Sequence, residues 1–153
     1  MGNWGIKALE SDNGLDFIGF LEEFYAEKLE LSLSEIITIL IKADFLSDDR
    51  NNIDYLYDNT AISLAELFLM FKEKGELDYD NEDERVSLRK KTQFKSDKES
   101  IEFTLQYLTD IKNEKPDEDG EREFVELWKE SDSYDKWQEH LNGLITGLKQ
   151  NIM

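Results

Sequence analysis

Residues 133–148 read Ser-Tyr-Asp-Lys-Trp-Gln-Glu-His-Leu-Asn-Gly-Leu-Ile-Thr-Gly-Leu, and the spacing within them decides the fold class. Ser133 is a typical N-cap residue, because its hydroxyl can accept a bond from a free backbone N–H of the first helical turn. The large apolar residues that follow recur at three- and four-residue intervals, at Trp137, Leu141, Leu144, Ile145 and Leu148. This is the period of a helix with one buried side.

The same period recurs along the rest of the chain, and the whole sequence holds one Pro and eight Gly. It predicts helices from Asp12 to about Leu29, from Ser32 to about Phe45, from Asp48 to Tyr57, from Ser63 to Gly75, from Ser96 to Ile111 and around 124–128. The helix over 48–57 has the weakest pattern. We expect an all-α fold, an orthogonal bundle of about six helices that forms a single domain over residues 1–153.

Residues 36–45 leave a choice between helix and strand. Ile36 to Ile41 is rich in β-branched residues, which are typical of a buried strand. Ser32 and Glu35, however, have the spacing of a capping box. The length of the segment and the lack of a second strand to pair with also favour a helix.

The charge balance restricts the classes of partner. The chain has 36 Asp and Glu against 18 Lys and Arg, a net charge of −18. Such a surface repels phosphate backbones and anionic membranes, so we expect no nucleic-acid or membrane partner. It attracts basic proteins. Because the chain has no Cys and no signal-peptide pattern, we expect a cytoplasmic protein, either a monomer or a weak dimer.

Much of the acidity lies in two segments, 76–84 and 113–123, which we predict to be loops. A basic stretch over residues 85–98 directly follows the first of them. Its cations can form ion pairs with nearby acids, or they can form a small anion-binding patch. The sequence does not decide between these two roles.

The second acidic loop comes close to a calcium motif. Counted from Lys115, the residues Asp117, Asp119, Gly120 and Glu126 fill positions three, five, six and twelve of an EF-hand loop. Lys115 places a cation where the first ligand belongs, and Arg122 fills the usually apolar position eight. We therefore interpret Asp117, Asp119 and Glu126 as a near miss within an acidic loop, and we expect no metal or cofactor.

The chain offers few catalytic side chains. It has no Cys, no glycine-rich phosphate loop and one histidine, His140, which we expect on a helix surface. Lys136 and Leu144, its four-residue neighbours, are not metal ligands. We therefore do not expect an enzyme. The alternative is a small-ligand- or metal-binding domain, or a weakly marked hydrolase using a carboxylate pair, which a thermal-shift screen with metals and nucleotides would reveal.

Both ends of the chain resemble a known family. Met1, Gly2, Trp4, Gly5, Glu10, Asp12 and Asp16 match the opening Met-Gly-x-Trp-Gly pattern and the acidic helix start of domain of unknown function 4259, and Glu126-Leu127-Trp128, Trp137 and Leu141 match its ending. The resemblance implies a small helical bacterial protein of the cytoplasm and supplies no catalytic residue. We expect structural roles for Trp4, Gly5, Glu10, Asp12, Asp16, Trp128 and Trp137.

Taken together, charge and composition predict a protein that acts by protein–protein contact. In the sharper form of this hypothesis, its acidic surface neutralises or regulates a basic partner, as an immunity protein does.

Overall fold

The structure, a computed structural model, describes residues 8, 12–25, 30–49, 52–74, 93–116, 120 and 122–152. Six helices and two short strands lie in this part of the chain. In order they are α1 (Asp12–Phe24), β1 (Glu30–Ser32), α2 (Leu33–Lys42), α3 (Tyr55–Lys74), β2 (Gln93–Lys95), α4 (Lys98–Lys112), α5 (Glu123–Lys129) and α6 (Tyr134–Ile152). The all-α prediction is confirmed.

Local capping positions several helices as their sequences predict. Ser32 precedes α2, and its hydroxyl accepts a bond from the Glu35 N–H at 3.4 Å, so the helix interpretation of the Ile-rich segment is confirmed. α6 begins directly after Ser133. For α4 the predicted cap is wrong by one residue. Asp97 caps the helix, and its carboxylate accepts from the Ser100 N–H at 2.7 Å, because a carboxylate binds free N–H groups at least as well as a hydroxyl does.

Two other predictions fail around α3. The predicted helix over 48–57 is wrong, since α3 begins only at Tyr55, after an Asp54 carboxylate that accepts from the Leu56 N–H at 2.8 Å. The helix start predicted at Ser63 is also wrong, because Ser63 and Glu66 lie in the middle of α3 and are buried. The two residues that have the capping-box spacing are instead polar side chains inside the protein.

A small sheet was not expected from the sequence. β1 and β2 pair in parallel, with Leu31 opposite Phe94, and both of these residues are buried. At the exposed edge, Lys95 Nζ lies 2.9 Å from Glu30 Oε2. The argument that the chain lacks a second strand is therefore wrong. The sequence does not reveal these strands, because three residues are too few to show the two-residue period of a strand.

α3 lies at the centre of the helical packing and contacts α1, α4, α5 and α6. Residues from all six helices join one apolar cluster, whose fully buried members include Phe17, Leu21, Leu40, Phe68, Leu108, Phe124 and Leu148. In the described part of the chain, no helix is both long enough and apolar enough to span a bilayer.

α2 and α4 both end without a glycine. Asp44 and Glu114 adopt positive φ values of 64° and 55°, a conformation that strains residues with a Cβ. In each case the following residue bonds back to the last turn, as Phe45 N–H does to the Leu40 carbonyl at 2.9 Å. The Asp44 carboxylate also accepts a bond from the Tyr57 hydroxyl at 2.7 Å. This contact fixes the position of the α2 terminus against α3.

Candidate functional site

A buried ion pair joins α3 to the segment that precedes α5. Arg122 Nε and Nη2 donate to the two carboxylate oxygens of Asp58 at 2.9 and 2.7 Å, and both side chains are almost completely buried. Arg122 Nη1 also donates to the Lys115 carbonyl at 2.9 Å. The guanidinium therefore links the Lys115 backbone, just after α4, and the residue before α5 to α3.

Burial and pairing act in opposite directions on the Asp58 carboxyl. Loss of hydration raises the pKa of Asp58, the hydrogen bonds and the positive charge of Arg122 lower it, and the net result is a pKa of about 6. Burial likewise raises the pKa of Tyr107 to about 12, with the negative charge of Asp58 as a second cause. Because Asp58 and Arg122 are both enclosed by the protein, we interpret their ion pair as a structural contact.

Sequence reasoning missed this pair. In the sequence, Arg122 stands out only as a cation at the usually apolar position eight of the calcium-like loop. Any of 36 carboxylates could have paired with it, and the sequence separation of 64 residues gives no local signal. The one available hint was that Arg122 is a cation within a strongly acidic segment.

A second polar contact joins α3 to α6. Glu66 Oε2 lies 2.7 Å from His140 Nε2 and also accepts a bond from the Ala8 N–H at 2.7 Å. Glu66 is buried, and the His140 side chain keeps 22% of its exposure. The interpretation of His140 as a helix-surface residue is thus incomplete, because its partner lies on another helix, where spacing along α6 cannot show it.

The two tryptophans of the C-terminal motif lie together in the core. Trp128 of α5 and Trp137 of α6 are both buried, and their rings stack with centroids 5.4 Å apart. Trp137 also stacks on the half-buried Tyr134 at 6.0 Å. Of the other motif residues, Asp12 is the first residue of α1 and Asp16 is exposed on that helix. Trp4, Gly5 and Glu10 lie outside the described residues.

The surface above these tryptophans is acidic. α5, the turn after it and the start of α6 expose six carboxylates, which we name the acidic surface: Glu123, Glu126, Glu130, Asp132, Asp135 and Glu139. Nearby cations do little to neutralise them. Arg122 is buried against Asp58, and Lys129 contacts Glu114 and lies 3.6 Å from Glu126, which leaves Lys136 exposed among the six.

The structure describes only one of the three acidic residues of the calcium-like loop. Asp117 and Asp119 lie outside the described residues, and Glu126 is exposed on α5 beside Lys129. The described residues contain no group of three or more His, Cys, Asp or Glu side chains arranged to hold a metal ion. Of the basic stretch over 85–98, the described part reaches from Gln93 onward, and there Lys95 pairs with Glu30 and Lys98 lies 3.9 Å from Glu102.

Comparison with known families confirms the resemblance at the chain ends. The model of the family described as domain of unknown function (DUF4259) matches residues 2–140 of the 153. The chain belongs to the DUF4259 family. Neither the curated proteins nor the solved structures include a match to it. The DUF4259 match extends through the central helices, so it covers the buried Asp58–Arg122 pair as well as the terminal motifs.

Proposed function

We propose that this DUF4259 protein acts in the bacterial cytoplasm by binding a basic protein, which it neutralises or regulates in the manner of an immunity protein. The acidic surface on α5 and α6 carries this proposal. Its six exposed carboxylates belong to α5, the turn after it and the first turns of α6, and the one arginine of the segment is withdrawn into the core.

Charge at such a surface acts mainly on the encounter between partners. Complementary fields raise the association rate and select against partners of the same sign, and the effect weakens as salt screens it. Below the surface, Trp128 and Trp137 are buried and stacked, and this packing holds α5 and α6 together. A rigid support allows the carboxylates to meet a partner without a large loss of conformational entropy.

Salt-dependent capture with two matched variants tests the proposal. The acidic-surface variant converts Glu130, Asp132, Asp135 and Glu139 to their amides. The control converts four exposed acids elsewhere, namely Glu30, Glu73, Glu99 and Glu102, so that both variants change the net charge equally. Each immobilised protein is exposed to bacterial lysate at low and at high salt, and retained proteins are identified by mass spectrometry.

We expect the wild type and the control to retain the same basic protein at low salt, and the acidic-surface variant to lose it. High salt should reduce retention by the wild type and by the control. Capture of no protein at either salt, or equal retention by both variants, would show that the acidic surface is not a binding site.

A further inference from the structure

Two hydroxyl groups of the central helix α3 are buried without a hydrogen bond. Thr60 and Ser63 are 1% and 0% exposed, and neither Thr60 Oγ1 nor Ser63 Oγ has a hydrogen-bond partner among the described residues. A hydroxyl that gives up its bonds to water and gains none from the protein destabilises the fold. Because native proteins rarely leave such groups unpaired, we expect these two hydroxyls to have a partner outside the polypeptide.

Other helical hydroxyls of this protein bond to their own backbone. Three threonines each donate to the carbonyl four residues earlier, at 3.0, 3.0 and 2.8 Å, namely Thr38, Thr104 and Thr109. Thr60 and Ser63 do not make the equivalent bond, although both lie within α3. Their hydroxyl oxygens are therefore available to a group that lies beside the helix.

The charged side chains nearby on α3 already have partners. Asp58 binds the guanidinium of Arg122. Glu66 accepts bonds from His140 and from the Ala8 N–H. The two hydroxyls themselves carry no charge, so they cannot neutralise a buried cation or anion, which would be costly to remove from water. The partner of the hydroxyls is therefore a neutral molecule.

The spacing of the two hydroxyls suits one shared partner. Residues three apart lie on the same side of a helix, with Cβ atoms about 5–6 Å apart. One oxygen atom between them can therefore hydrogen-bond to both. Since Thr60 and Ser63 are almost completely enclosed, that oxygen belongs to a very small molecule. Water fits, because it donates and accepts, and because enclosed water commonly bonds to buried polar groups that lack a protein partner.

We propose that Thr60 and Ser63 bind one enclosed water molecule, which hydrogen-bonds to both hydroxyls and forms part of the core beside α3. The site explains why a helix with neighbours on several sides carries two unpaired polar side chains in its middle. It is independent of the basic partner proposed above, so the capture experiment and the experiment below can fail separately.

A double-mutant cycle and a crystal structure test the proposal. Thr60→Val and Ser63→Ala each remove one hydroxyl with little change in shape, and the double variant removes both. Thr38→Val is the control, because the Thr38 hydroxyl bonds to its own helix, α2, and has a separate partner. Melting temperatures are compared for all variants, circular dichroism verifies their helix content, and the crystal structure of the wild type is searched for the water itself.

We expect each single variant of the site to melt about 2–4 °C below the wild type, because the water loses a bond and the other hydroxyl is left with a weakened partner. The double variant should lose less than the sum of the two single losses, because both changes act on the same water. Thr60→Val combined with Thr38→Val should instead give the sum of its two effects. The crystal structure should show an ordered water within hydrogen-bond distance of both hydroxyl oxygens.

A rise in melting temperature in either single variant would overturn the proposal, because removal of a hydroxyl that has no partner stabilises the protein. Additive losses from Thr60→Val and Ser63→Ala would also overturn it, since the two hydroxyls would then share no partner. A third contrary result is a crystal structure in which the two hydroxyls bond to the backbone carbonyls of Leu56 and Asn59.

Discussion

Replacement of Arg122 by Met should be among the most damaging single changes to this protein. The substitution removes both hydrogen bonds to Asp58 and the bond to the Lys115 carbonyl, and it leaves a carboxyl group that is 1% exposed without its counter-ion. Breaking a buried pair from one side costs about 3–5 kcal/mol. If the stranded carboxyl takes up a proton at pH 7, about one pH unit above the wild-type pKa of about 6, that step accounts for about 1.4 kcal/mol of the loss, and the lost hydrogen bonds account for the rest.

The loss should be measured as the free energy of unfolding in urea and as the melting temperature. For a chain of this length, about 4 kcal/mol corresponds to a fall of about 8–16 °C in melting temperature. The matched control is Lys95→Met, which removes the exposed pair with Glu30 and should cost less than about 1 kcal/mol. Asp58→Leu combined with Arg122→Met should be more stable than Arg122→Met alone, because no buried charge is left unpaired.

The pH dependence provides a further check. In the Arg122→Met variant, the folded protein holds a proton on Asp58 that the unfolded chain loses above its ordinary pKa. Its stability relative to the wild type, whose Asp58 pKa is about 6, should therefore fall by up to about 1.4 kcal/mol per pH unit between pH 6 and pH 8. A loss no larger than that of Lys95→Met, or a loss that does not grow with pH, would refute this reasoning.

Two other predictions follow from the packing of α6 and from the tyrosines. Gly143→Ala should stabilise the protein by about 0.5–1 kcal/mol, since an added Cβ meets open space, whereas Gly147→Ala should gain less or lose stability, because its Cβ would lie 2.9 Å from Leu69 Cδ1. Urea midpoints compare the two, and an equal gain would contradict the packing argument. At pH 11, near-ultraviolet absorbance should show that Tyr25, Tyr57 and Tyr107 keep their protons in the folded protein and lose them in denaturant. Burial raises the pKa of Tyr25 and raises that of Tyr107 to about 12, and the hydrogen bond to Asp44 raises that of Tyr57 to about 12. Because these folded-state pKa values lie above those of the unfolded chain, stability should fall as the pH rises above 10; ionisation of all three at pH 11 in the folded protein would be the contrary result.

Local sequence signals were sufficient where a helix has one apolar side. The residues of α6 from Trp137 to Leu148 lie on the core as their spacing predicts, and Ser32 begins α2 because its hydroxyl meets a backbone N–H only three residues away. The membership of the DUF4259 family was likewise readable from short motifs near the chain ends. All of these signals act within one or two helical turns.

Local signals failed along α3, the central helix. Helices pack against it on several sides, so Ser63 and Glu66 are buried and their spacing no longer marks a helix start. β1 and β2 were missed because they are brief and 60 residues apart in sequence. Neither the buried polar residues of α3 nor the two strands form a periodic sequence pattern that is long enough to predict them.

The sequence by itself determined the helical class, the family and the net charge, because these depend on composition and on neighbouring residues. The tertiary structure decided which charges remain at the surface. It withdraws Arg122 to Asp58 and Glu66 to His140, and it leaves the carboxylates of the acidic surface exposed. Whether a charged side chain stays exposed depends on the free-energy cost of removing it from water and on the partners that offset this cost. Those partners lie far away in the chain, so the neighbouring sequence does not show them.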